Sequence, residues 1–81
     1  MQLKVDDAIE RNRGQSLQQY TNRYVRFLAD GPKGERFHLV IRIPEDIPVP
    51  DAAMGDTVVV TFLCSRGNLQ QGNEAKAIEK P

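Results

Sequence analysis

Apolar and polar side chains alternate along residues 35–43, ERFHLVIRI, with Phe37, Leu39, Ile41 and Ile43 on one side and Arg36, His38, Val40 and Arg42 on the other. Successive side chains of a β-strand point to opposite faces, so this period of two predicts a strand with one apolar face. Residues 57–64, TVVVTFLC, predict a second strand rich in β-branched and aromatic residues, with Val58, Val60, Phe62 and Cys64 on one side, Thr57, Val59, Thr61 and Leu63 on the other, and burial over part of both faces. Turn signals bound it, Gly55-Asp56 before and Arg66-Gly67-Asn68 after. Between the two strands, prolines at 44, 48 and 50 remove backbone donors that a central strand needs. That stretch reads as a loop of about 12 residues with one helical turn at 50–54. Residues 74–79, EAKAIE, read as a short edge strand, with Ala75 and Ala77 in one phase and Ile78 in the other.

The N-terminal third supports two readings. Leu3 and Val5 can begin a strand within residues 2–9, and residues 21–29 can form another, with Val25, Phe27 and Ala29 inward and Tyr24, Arg26 and Leu28 outward. The segment Asp30-Gly31-Pro32-Lys33-Gly34 would then join it to the next strand as a hairpin turn. Alternatively Leu17, Tyr20, Tyr24 and Phe27 or Leu28 lie at helical spacing, with Ser16 and Gln19 matching a capping box. The first reading gives an all-β chain. The second gives an α+β fold, with a helix at about 16–29 packed on a three-stranded antiparallel sheet.

Composition narrows the class. At 81 residues, 40% apolar and 27% charged, the chain reads as one domain, 1–81, with a thin core, since a fold of this size buries only about 60% of its unfolded surface. No apolar run approaches the roughly 20 residues a bilayer-spanning helix needs, and the acidic start MQLKVDDAIE is unlike a signal peptide. The single cysteine, Cys64, excludes an internal disulfide, and a cytoplasmic location is expected. Net charge is zero, yet it is segregated. Residues 11–43 carry Arg11, Arg13, Arg23, Arg26, Lys33, Arg36 and Arg42 against Asp30 and Glu35, whereas the charges of residues 44–56 are all acidic.

The closing segment MGDTVVVTFLCSRGNLQQGNEAKAIEKP resembles the last two strands of the cold-shock domain family, with a Gly-acid turn, a Val/Phe strand, a Gly-rich loop and a short Ala-containing strand. Upstream, RYVRFLADGPKGERFHLVIRI stands where that family carries its two aromatic RNA-binding strands. The family's glycine-aromatic first motif is replaced here by Tyr24-Val25-Arg26-Phe27, and its second survives as Phe37-His38-Leu39. The order of elements also resembles the small single-strand DNA-binding proteins of filamentous phages, with Arg11-Asn12-Arg13-Gly14 and Tyr20 in the places of their Arg- and Gly-containing loop and following Tyr. Both resemblances imply a small five-stranded OB-like barrel.

Single-strand binding by such a barrel needs cations that track phosphates and aromatic faces on which bases stack. Tyr24, Arg26, Arg36, His38 and Arg42 would share one outward face, and Arg11, Arg13, Tyr20 and Lys33 complete the candidate set. Phe27 and Phe37 fall inward, as core. Single-stranded DNA or RNA is therefore the expected partner, with a homodimer the second expectation and no membrane partner. The second functional reading is a non-catalytic protein-interaction or self-assembling module, suggested by net neutrality and the acidic proline loop. No catalytic activity is expected. The lone His38 has no ligand partners at metal spacing, Cys64 lies within an apolar strand, and Asp6, Asp7 and Glu10 read as a solvated turn. The glycines match no nucleotide fingerprint, so no cofactor or metal is expected.

Overall fold

Alternation is kept in the first three strands and interrupted in the last. A computed structural model describes residues 1–6, 15–20, 23–64 and 72–81. The strands are β1 Gln2–Val5, β2 Tyr24–Asp30, β3 Arg36–Arg42, β4 Thr57–Cys64 and β5 Asn73–Glu79. They close into an all-β, OB-like barrel in the order β1-β2-β3-β5-β4, with β4 returning to β1. All pairings are antiparallel except β3 with β5. Among the described residues no helix is long and apolar enough to cross a membrane.

Inward positions of every strand meet in one core: Leu3 and Val5, Val25, Phe27 and Ala29, Leu39 and Ile41, Val58 and Val60, Ala75 and Ile78. Phe37 and Phe62 are half-buried and pack against it. The β2–β3 hairpin turns through Pro32-Lys33-Gly34, framed by bonds from Gly31 N to Glu35 O (2.7 Å) and Gly34 N to Gly31 O (3.2 Å). Gly34 sits at φ +82°, the left-handed position that ends a three-residue hairpin loop and suits glycine.

Of the segment 21–29, residues 24–29 are strand and not helix, while 21 and 22 lie outside the described residues. The capping box exists, with Ser16 Oγ accepting from Gln18 N and Gln19 Oε1 accepting from Ser16 N. It starts only one 3-10 turn, Leu17–Gln19. Leu17 and Tyr20, three apart, both turn into the core, and Leu17 N donates to Ala52 O at 2.7 Å. The helical spacing is thus real for one turn, after which Tyr24 and Phe27 belong to opposite faces of β2.

Two further expectations are corrected. Residues 50–54 form no helical turn. Ala53 bridges Ser16, and a turn through Met54-Gly55 follows, with Asp56 Oδ2 accepting from Ala53 N and Gly55 at φ +93°. Nor is β5 an edge, because it pairs with β4 along its length and with β3 at its start. Opposite Thr61 and Phe62 stand Ala77 and Ala75, so Lys76 is an extra residue, a β-bulge. The bulge reverses the phase, letting both Ala75 and Ile78 point inward.

Phe27 is fully buried at the centre of this thin core. Phe27→Ala should cost about 3–5 kcal/mol, a large share of the stability of a domain this small, and should sharply lower the urea midpoint followed by circular dichroism. A midpoint within error of wild type would mean the ring is not a core residue.

Candidate functional site

Outward positions of β1, β2, β3 and β5 form a continuous surface whose rows follow from strand register. Lys4 lies opposite Leu28, and Leu28 opposite His38. Arg26 lies opposite Val40, and Asp6 N donates to Arg26 O at 3.1 Å, placing Asp6 beside them. Tyr24 lies opposite Arg42, Arg42 opposite Glu74, and Glu74 opposite Leu63. Asp30 faces Arg36 at the hairpin end. The seven residues of β2 give this face a length of about 20 Å.

Tyr24 is 60% exposed and Leu63 61%. Half-buried Leu28 and exposed Val40 add an apolar strip between the charges. The face is thus a mixed apolar and ionic surface rather than a bare cationic groove. Arg42 Nη2 donates to Glu74 Oε2 at 2.9 Å, and Lys76 Nζ stands 3.5 Å from Glu74 Oε1. His38 Nε2 is 2.6 Å from Asp6 Oδ2, and Arg36 Nε 3.6 Å from Asp30 Oδ1. Arg26 Nε donates to the backbone oxygen of Asp6 at 3.3 Å. Ion pairs this exposed are screened by solvent and salt and hold their partners weakly.

The hydrogen bond from Arg42, reinforced by its charge, holds the Glu74 carboxyl below the usual carboxylate range, and the same bond raises Arg42. Among the described residues no cluster of His, Cys, Asp and Glu is placed to hold a metal ion.

Of the residues expected at a binding surface, Tyr24, Arg26, Arg36, His38 and Arg42 share this face, and Lys33 is exposed at the tip of the β2–β3 hairpin. Tyr20 does not belong with them. It is 6% exposed, because the 3-10 turn carries its ring into the core beside Leu17, and it has no face on which a base could stack. Arg11 and Arg13 lie outside the described residues. Sequence reasoning missed Glu74 and Leu63, brought to the face by pairings remote in the chain, and Lys4, whose alternation with Leu3 and Val5 does place it outward.

Comparison with protein-family models, with curated proteins and with solved structures finds no match.

The depressed Glu74 carboxyl gives a direct check on the pair. In the folded protein its NMR titration midpoint should lie below that of an ordinary glutamate, and Arg42→Gln should move it upward. The sign follows from linkage: a lowered folded-state value stabilises the fold above the ordinary carboxylate range and loses that contribution as pH falls through the lowered midpoint. An unchanged midpoint in Arg42→Gln would show that the pair does not form.

Proposed function

We propose that this protein is a single-stranded nucleic-acid-binding module that uses the outer β1–β2–β3 face. The observation that carries this reading is Tyr24, 60% exposed and in register with Arg42, two rows from His38 and Lys4. An aromatic ring with cations on both neighbouring strands offers a stacking platform inside a phosphate-binding field, and stacking is worth about 1–3 kcal/mol per base. Val40 and Leu28 provide the apolar floor between the rows. Support also comes from the OB-like barrel, an architecture whose strand 2–3 face is a recurrent oligonucleotide platform. Fold alone does not assign function, so the weight rests on the face. The intramolecular acids moderate affinity, and its salt dependence is set by the number of cations that phosphates engage.

Mixed-sequence single strands of DNA and RNA, titrated by fluorescence anisotropy, should bind at low salt and weaken linearly in log Kd against log salt. Tyr24→Ala should weaken binding by about tenfold or more, and Arg26→Ala should reduce the salt slope by about 0.7 if it meets one phosphate. Absence of binding to every single strand at low salt would sink the reading.

A second reading, a protein-interaction or self-assembling module, draws on one observation: the acids Asp6, Asp30 and Glu74 pair with His38, Arg36 and Arg42 beside exposed Val40, Tyr24 and Leu63. Matched charge around apolar side chains also suits a protein surface. Sedimentation at high concentration separates the two, since a strict monomer removes the self-assembling form.

A further inference from the structure

The row Leu63, Glu74, Arg42, Tyr24 crosses four strands in direct register. At one end lies an exposed ring, in the middle a charge pair, and at the other end an exposed apolar side chain. Splayed single-stranded bases are recognised by stacking on an aromatic ring while their edges meet hydrogen-bonding side chains. Here the side chains that a stacked base would meet are fixed beforehand. Arg42 and Glu74 hold each other at 2.9 Å, and Lys76 stands 3.5 Å from the second carboxylate oxygen.

Neither partner is exhausted by the other. A carboxylate accepts about four hydrogen bonds and a guanidinium offers five N–H donors. Both side chains remain partly exposed, 42% for Arg42 and 39% for Glu74. The pair therefore presents acceptors and donors side by side, next to a stacking surface.

We infer that the Tyr24–Arg42–Glu74 row is a guanine-reading subsite, in which a base stacked on Tyr24 directs N1–H and the 2-amino group to Glu74 and O6 and N7 to Arg42. The inference rests on the single-strand-binding reading of this face. Guanine is the base whose Watson–Crick edge carries two adjacent donors, which match the two lone-pair directions of a carboxylate, beside an edge with two acceptors that match a guanidinium. Adenine turns an acceptor, N1, toward the carboxylate, and cytosine, thymine and uracil offer one donor each. Glu74 lies two strands from Tyr24, about 10 Å along the row, and its carboxylate reaches back toward Arg42, a span that a purine covers better than a pyrimidine. Such a bonded edge discriminates between bases by about tenfold or more.

The test uses the full chain and anisotropy titrations with oligo-dT and oligo-rU carriers, each containing one central substitution. One guanine should tighten binding by about tenfold, whereas adenine or cytosine should not. Inosine, which keeps N1–H, O6 and N7 but lacks the 2-amino group, should lose most of the gain. Glu74→Gln should narrow the ratio between guanine-containing and plain carriers to within about twofold. A guanine effect on one carrier alone would assign the subsite to DNA or to RNA. If plain carriers bind but guanine gives no gain, or adenine gains as much, the subsite is overturned while the single-strand reading stands. If no carrier binds, both fall.

Discussion

Barrel closure rests on a short parallel seam between β3 and β5. Two register pairs make it, Ile41 with Asn73 and Arg42 with Glu74. Every other junction of the barrel is antiparallel. Without this seam, β3 and β5 would present open edges, the feature that invites aggregation in β proteins. Two polar residues of β5 reinforce it from opposite sides. Asn73, buried to 4% exposure, donates from Nδ2 to Val40 O at 3.2 Å, and on the outer surface Glu74 accepts from Arg42. A buried amide is costly unless bonded, so an asparagine facing inward at this point ties the first residue of β5 to β3 rather than to another register.

The seam also determines what the outer surface is. Because β5 joins β3, the faces of β2 and β3 continue onto β5 and then β4, and Glu74 and Leu63 enter a surface that would otherwise end at Arg42. The bulge at Lys76 serves the same end. It allows Ala75 and Ile78 to point inward although they lie three positions apart, so β5 can follow β4 past the bulge while its first residues pair with β3. Small side chains at Ala29 and Ala75 sit with Phe27, Leu39 and Ile41 in the same core.

Much of the fold was legible in the sequence where a strand has one inward face. β3 shows it directly, and Val25, Phe27 and Ala29 show it for β2; β4 was legible as a strand, but its apolar second face suggested burial on both sides, whereas Leu63 is exposed. Three features were not. The bulge breaks the alternation of β5, so its pairing on both sides was hidden behind the look of a frayed edge. Leu17 and Tyr20, three apart, fit a single 3-10 turn as well as the first turn of a helix, and local pattern does not say where the turn stops. At the candidate site, alternation gave the direction of Tyr24, Arg26, His38 and Arg42 correctly. It could not give their partners, since Asp6 and His38, like Arg42 and Glu74, stand 32 positions apart and meet only through barrel closure.

Phosphate binding and base reading place different demands on those partners. A phosphate that engages Arg36 competes with Asp30 for the same guanidinium, so affinity there comes at the expense of an exposed pair worth about 0–1 kcal/mol. A base edge laid across Arg42 and Glu74 uses donors and lone pairs that the pair leaves over, and so keeps their mutual bond. That difference matters because Arg42–Glu74 lies on the closing seam, whereas Asp30–Arg36 lies at the end of an antiparallel hairpin held by six further register pairs. On the proposed single-strand reading, such a face would exchange its ion pair for a phosphate at the hairpin end and retain its closing pair at the other. Under the proposed reading, recognition and closure are compatible, because the residues that seal the barrel would meet a neutral base edge and not a competing charge.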